Sequence, residues 1–259
     1  MEQRSLVLTI AYNGSAYAGF AKQKDTHLST IQGELERALA TYFRRPVETV
    51  CAGRTDAGVH ALGQVVSCAL DDAELEGITS GRLIISLNAL TPDDIVIKAA
   101  DFAGPEFSAR FDATAREYRY RIVTGPVPPL FLADFAWWRR GELDIEAMRQ
   151  GAAHLIGEHD FKSFCKAASA EGKTTMRRVD EISITREEQM GESCLVVKVI
   201  GNAFLHSMVR TIVGTLVQVG AGHREPGWVA EVLAACDRNA AGETAPAHGL
   251  TFWHVRYDV

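Results

Sequence analysis

Two strand-like runs, Val47–Cys51 and Gln64–Leu70, flank the loop Gly53-Arg54-Thr55-Asp56-Ala57-Gly58-Val59-His60-Ala61. Gly53 and Gly58 permit backbone angles that other residues avoid, so the chain can turn sharply there and present a side chain from a fixed backbone. Around this loop the order reads strand, helix, strand, loop, strand, helix, strand. Ser5–Tyr12 alternates on Leu6, Leu8 and Ile10, and Thr30–Phe43 repeats Ile31, Leu35, Ala38, Leu39 and Tyr42 at helical spacing. Ser29 with Gln32 three residues later gives a capping-box pattern at that helix start. Thr79–Ala89 reads as a helix and Ile95–Ala100 as a strand. The pattern predicts an α+β half with a mainly antiparallel sheet.

A second half has its own pattern. Ala115–Val123 places Tyr118, Tyr120 and Ile122 on one face of a strand and Arg119 and Arg121 on the other. Asp144 opens a helix carrying Ile145, Met148, Ala152, Leu155 and Ile156. Arg178–Arg186 and Cys194–Ile200 read as a hairpin around the polar stretch Glu187–Glu192. Leu205–Val219 and Trp228–Ala235 read as helices, and Leu250–Tyr257 as a closing strand. Pro126, Pro128 and Pro129 mark a turn-rich insertion, and Ala240–Pro246 a loop. The division falls at residues 1–105 and 106–259.

Composition narrows the class. With 259 residues, the chain can form one large domain or two small ones; 47% hydrophobic and 23% charged residues are ordinary for a soluble globular protein. No apolar run approaches the roughly 20 residues that span a bilayer, and Met1-Glu2-Gln3-Arg4 opens no signal peptide. Cys51, Cys68, Cys165, Cys194 and Cys236 are scattered without paired spacing, which reads as reduced and cytoplasmic. No CxxC or HExxH gives a metal site support. A net charge of −6 argues mildly against nucleic acid as a global quantity, but phosphate contacts depend on where cations cluster. They cluster at Arg110, Arg116, Arg119 and Arg121, at Arg139 and Arg140, and at Lys173, Arg177 and Arg178. The Arg139–Arg140 pair reads as a solvated face.

Taken alone, the Asp56 loop fits either a solvated Arg–Asp pair of little energetic value or a carboxylate presented to a cleft. Its nine residues, Gly53 to Ala61, resemble the active-site signature of the tRNA pseudouridine synthase A family. Further blocks follow in the family's order: Ala11-Tyr12-Asn13-Gly14, Phe107-Ser108-Ala109-Arg110-Phe111, and Arg116-Glu117-Tyr118-Arg119-Tyr120. Gly157-Glu158-His159-Asp160-Phe161 with Ser163-Phe164-Cys165, Asn202-Ala203-Phe204-Leu205-His206 with Met208-Val209-Arg210, and Ala245-Pro246-Ala247-His248-Gly249-Leu250 complete the resemblance. One departure is visible. Where the family generally has Gly-Trp-Gln, this chain reads Gly19-Phe20-Ala21.

The resemblance implies an enzyme that isomerises uridine to pseudouridine on the 3′ side of the anticodon stem-loop of tRNA, without cofactor or metal, as a cytoplasmic homodimer. It implies two related α+β halves, their mainly antiparallel sheets joined into one, helices on the outer faces and a catalytic cleft between the halves. Asp56 would be the nucleophile, Tyr118 the base-stacking and acid/base residue, and Arg210 the cation paired with Asp56. Leu250 would pack against the base and Arg54 assist its extrusion, with Arg110, Arg119, Arg121, Lys173, Arg177 and Arg178 as RNA contacts. His60 and His206 read as structural. Two rivals are a non-catalytic RNA-binding module, which needs no buried carboxylate, and a glycosidase or nucleosidase. The latter usually needs a second acidic group, and none lies near Asp56 in sequence.

Overall fold

The computed structural model describes residues 3–23, 27–166, 171–172 and 174–258. Contacts divide the chain into two compact units, Met1–Thr114 with Phe252–Val259, and Ala115–Thr251. Ten strands and six α-helices are present among the described residues, a mixed α+β architecture. The closing strand β10 (Leu250–Tyr257) contributes its first two residues to the second unit and the remainder to the first.

In the first unit, β1 (Gln3–Tyr12) lies between β4 (Ile95–Ala103) and β3 (His60–Asp71), antiparallel to both. Its alternation buries Leu6, Leu8, Ile10 and Tyr12. The two-residue β2 (Val50–Cys51) pairs antiparallel with β3, opposite Ser67 and Val66. Beyond β3 runs β10. Helix α1 (Ile31–Phe43) buries Ile31, Leu35, Ala38 and Leu39. Its cap is Thr30, whose hydroxyl accepts from the Gly33 N–H at 3.2 Å, while the Ser29 hydroxyl reaches Glu34 Oε1 at 3.4 Å. The cap therefore lies one residue later than expected, and since Gly33 has no side chain to bond back to Thr30, it is a simple cap rather than a capping box. A short helix α2 (Asp72–Leu75) precedes α3 (Ser80–Asn88), capped by Thr79.

Two strand boundaries differ from expectation for local reasons. Val47–Thr49 stays outside β2 because Thr49 is drawn to α1: its N–H and hydroxyl both donate to Glu36 Oε1, each at 2.9 Å. At the other side, β3 starts at His60 rather than Gln64, so the end of the signature loop is already strand.

In the second unit, β5 (Ala113–Thr124, from Ala115 on) pairs antiparallel with β9 (Glu192–Gly201), which pairs with β8 (Met176–Gln189), which pairs with β7 (Gly157–Asp160). The short β6 (Trp137–Arg139), unmarked by any alternation, runs parallel to β5. The expected polar loop between β8 and β9 contracts to Met190-Gly191, with φ of 53° and 78°. Both residues are left-handed, as a two-residue hairpin turn of matching twist requires. Glu187, Glu188 and Gln189 consequently extend the ladder against Cys194, Ser193 and Glu192.

Helix α4 (Ile145–Ala153) is capped by Asp144, which accepts from the Ala147 N–H at 3.0 Å. Helix α5 (Met208–Gly220) is buried along nearly its whole length, and α6 (Trp228–Ala235) follows. The expected start of α5 at Leu205 fails because Ser207 is left-handed, at φ 60°. No helix among the described residues is long and apolar enough to cross a membrane.

Candidate active site

The Asp56 loop is held from below by the end of β1 and the turn that follows. Tyr12 Oη and Thr55 Oγ1 share a buried hydrogen bond at 2.8 Å, one residue before Asp56. The Thr55 carbonyl accepts from the Phe20 N–H at 3.1 Å, and the Gly53 carbonyl accepts from Gln64 Nε2 at 2.6 Å. The Val59 N–H closes the turn onto the Asp56 carbonyl at 3.2 Å. His60, buried at the start of β3, accepts the Gly14 N–H on Nδ1 at 3.2 Å. Asp56 itself is half-buried and Arg54 exposed. The result is a carboxylate on a backbone fixed at several points, the condition for a preorganised reacting group.

Tyr12, Thr55 and Gln64 hold the backbone of the loop, a task that the sequence reading did not assign to them. The signal available was that Tyr12 stands in the Ala11–Gly14 block and Thr55 in the Gly53–Ala61 loop; Gln64 carried none. Burial pushes the Tyr12 phenol well above its ordinary value, with the Thr55 hydrogen bond opposing, so it stays protonated and neutral. The departure at Gly19-Phe20-Ala21 falls on this support. Phe20 is buried, with its ring centroid 6.2 Å from that of Tyr12, so its aromatic side chain packs under the loop.

In the second unit Arg210 is tied to the segment that ends in Leu250, and Tyr118 lies on β5, the strand whose Tyr120 is bonded to that segment. Tyr118, on β5, is buried, and its ring meets Phe204 edge to face at 5.1 Å and 83°. Arg210 lies in the first turn of α5, half-buried; its Nε donates to the Ala245 carbonyl at 2.7 Å and its own carbonyl accepts from the Ala245 N–H at 3.1 Å. Tyr120 donates its hydroxyl to the next carbonyl, Pro246, at 2.8 Å. Consecutive carbonyls of the segment that ends in Leu250 are thus held by α5 and β5. Leu250 is 5% exposed. Burial drives the Tyr120 phenol upward, and the positive charge of Arg210 partly offsets this, so Arg210 lies within electrostatic reach of β5. Tyr120 is a core residue, fully buried, as its strand position implied.

The candidate RNA-contact cations are placed very differently. Arg54 is exposed and has no hydrogen-bond or ion-pair partner among the described residues. Arg110 is exposed, with its guanidinium 5.4 Å from the Phe111 ring centroid. Arg178 is exposed and bonded to Asp180 Oδ1 at 2.7 Å. Arg119 is half-buried against Glu117 at 2.8 Å. Arg121 is buried; its Nε donates to Gln189 Oε1 at 2.8 Å and Nη1 to Thr251 Oγ1 at 3.0 Å, and burial pulls its pKa down. Arg177 is half-buried, its Nη1 bonded to the Thr174 and Met176 carbonyls at 3.1 and 2.6 Å. Arg116 is also buried, with Nη1 on the Asn202 carbonyl at 2.6 Å. Lys173 lies outside the described residues. Sequence clustering did not distinguish cations open to solvent from those holding strands together. Among the described residues no group of His, Cys, Asp and Glu side chains is arranged to hold a metal ion.

A family model described as tRNA pseudouridine synthase matches residues 8–112 and 152–258, covering both units. The tRNA pseudouridine synthase A of Brevibacillus brevis is 44% identical over 255 residues, spanning 98% of this chain and 100% of that protein. The protein of the same name from Bacillus subtilis is 43% identical over 98% of this chain and 99% of its own length. That of Shewanella woodyi is 40% identical over 97% and 92%. With the family model spanning the Asp56 loop, the α5 arginine and the Leu250 strand alike, the chain belongs to the tRNA pseudouridine synthase A family.

Proposed function

We propose that the protein isomerises uridine to pseudouridine in tRNA, at the 3′ side of the anticodon stem-loop, with Asp56 as the nucleophile. The observation that carries this reading is the Asp56 loop: a carboxylate on a backbone fixed through Thr55, Gly53 and Val59. The reaction breaks the bond from C1′ to N1, turns the uracil and joins C1′ to C5. The C5 hydrogen leaves as a proton and N1 takes one up. No electrons are transferred and no energy source is consumed, so the chemistry needs a nucleophile, an acid/base group and a dry site rather than a cofactor.

The remaining roles follow from side-chain chemistry. Tyr118 offers a buried aromatic face for the base and a phenol for proton transfer at C5. Arg210 is the cation that the family resemblance pairs with the nucleophilic carboxylate, and its double tie to Ala245 fixes its own position. Leu250 provides an apolar contact for the uracil. Arg54, exposed and unpaired among the described residues, serves the RNA by contacting a phosphate or filling the space of the extruded nucleotide. Arg110 and Arg178, exposed, serve the same backbone. The working form is a cytoplasmic homodimer.

Tritium release from tRNA labelled with 5-³H-uridine tests the reading, with no metal or nucleotide added. Wild type releases tritium; Asp56→Asn releases none above background yet still binds tRNA. Full turnover by Asp56→Asn would remove Asp56 from the chemistry. Binding by wild type without tritium release would favour an RNA-binding module instead.

A further inference from the structure

The turn at Ser108–Asp112 holds an aromatic side chain out in solvent from an unusually well-anchored backbone. Its ends are closed on each other: the Asp112 N–H donates to the Ser108 carbonyl at 3.1 Å, and the Ser108 N–H to Asp112 Oδ2 at 2.8 Å. Its middle is anchored through Ala109, which is fully buried. The Ala109 N–H donates to Ser67 Oγ at 3.0 Å, and its carbonyl accepts from the Tyr257 hydroxyl at 2.8 Å. Yet Phe111 is 79% exposed, more than any other large hydrophobic side chain among the described residues. A single exposed apolar residue is common and means little. Phe111 differs because its backbone is fixed and a guanidinium, that of Arg110, stands 5.4 Å from its ring centroid.

The position of the turn adds a second element. Ser67, which holds Ala109, is the cross-strand partner of Val50, and its neighbour Val66 pairs with Cys51. Cys51 leads into the Asp56 loop, and Arg54 stands exposed three residues on. Arg54 and Arg110 both oppose the burial that raises the Cys51 thiol to about 11, which places their charges within Coulomb reach of the same side chain. Two cations and one aromatic face therefore belong to one region of the first unit, beside the candidate nucleophile's loop.

Cations beside an exposed aromatic ring are the composition that single-stranded nucleic acid demands, with phosphates on the cations and a base on the ring. We propose that Phe111 is a stacking platform for a tRNA base other than the reacting uridine, with Arg110 and Arg54 on the phosphates that flank it. This rests on tRNA being the substrate and goes beyond it in naming a residue that holds a second nucleotide.

Equilibrium binding of tRNA to the full-length protein, measured over a series of salt concentrations, tests the platform. Phe111→Ala weakens binding roughly 5- to 150-fold, the range that loss of one base–aromatic stack gives, and leaves the salt slope unchanged. Phe111→Trp, which keeps a ring, restores binding. Arg110→Gln lowers the salt slope by about one phosphate contact. Wild-type affinity in Phe111→Ala would overturn the proposal. So would equal weakening in both Phe111 variants together with a lowered melting temperature, since that would mark a packing role. Tritium release by wild type separates the two readings. If wild type releases none while Phe111→Ala still loses affinity and Phe111→Trp regains it, the platform stands and the isomerase assignment falls.

Discussion

Gly14 and His60 are joined by a hydrogen bond in which the glycine N–H donates to imidazole Nδ1 at 3.2 Å, tying the turn after β1 to the end of the Asp56 loop. The approach is close enough to exclude a side chain. A β-carbon on Gly14 would stand 2.0 Å from the Val59 carbonyl oxygen, a contact with backbone that no rotamer change relieves. Gly14→Ala must therefore push the turn and the loop apart. Overpacking of this kind costs typically about 1–3 kcal/mol. The expected result is a lower urea midpoint and a fall in tritium-release turnover larger than any fall in tRNA affinity. An unchanged midpoint with wild-type turnover would mean that the contact does not position the loop.

The hydrogen bond between Tyr12 and Thr55 makes a separate prediction, because it acts one residue from the carboxylate. Tyr12→Phe keeps the ring against Phe20 and removes only the hydroxyl. Loss of one buried hydrogen bond, with its partner left unsatisfied, costs about 1–3 kcal/mol. If Thr55 sets the position of Asp56, turnover falls while KM holds, and Thr55→Ser retains more activity than Thr55→Val. Equal effects of Tyr12→Phe on turnover and KM, tracking stability alone, would reduce Tyr12 to a core residue.

Which features were legible in sequence depends on whether they rest on local or distant contacts. The alternation of β1 and β5 and the helical repeat of α1 were readable because burial follows period along a single element. The cap at Thr30 instead of Ser29 was not, since both residue types cap well and only the entry angle of the chain selects one. Asp56 was legible as a residue, and its support was not. Tyr12 and Gln64 lie on strands where an apolar neighbour pattern hides a polar task, and their partners are set by β1–β3 register. The arginines of β5 show the same limit. Alternation put Arg119 and Arg121 on one face, but whether a guanidinium there meets solvent or Gln189 is decided by β8, a distant element.

Burial of Cys68 predicts the alkaline limit of stability. The thiol, 5% exposed on β3, is pushed from 9.0 up to about 12 by burial, with Arg45 opposing. In the unfolded chain it loses its proton near pH 9, while the folded chain keeps it until about pH 12. Between those values the unfolded state binds fewer protons. Stability is thus complete below pH 9 and falls as pH rises toward 12, by at most about 1.4 kcal/mol per pH unit from this group. Cys51, raised to about 11 by burial, adds to the same decline over a narrower range. Urea unfolding under reducing conditions, from about pH 8 to about pH 11, checks this. Cys68→Ala should be less stable at neutral pH, because a packed side chain is lost, yet show the shallower alkaline slope. An equal slope in both proteins would assign the decline to other groups.

Arg54 and Arg121 separate the two tasks that arginine performs in this chain. Arg54 is exposed, while Arg121 is buried with its guanidinium bonded to Gln189 and Thr251. An exposed guanidinium contributes to RNA affinity through phosphate neutralisation, which appears as a salt slope; a buried one contributes through the hydrogen bonds it satisfies. Arg54→Gln should leave the melting temperature unchanged and lower the salt slope of tRNA binding by about one contact. Arg121→Gln should do the reverse. It leaves Gln189 and Thr251 short of a donor and lowers stability by about 1–3 kcal/mol, while the salt slope of the folded protein is preserved. A lost salt slope in Arg121→Gln at unchanged stability would show that β5 opens in solution to release this guanidinium to RNA, and would return Arg121 to the set of phosphate contacts that its place in the sequence suggested.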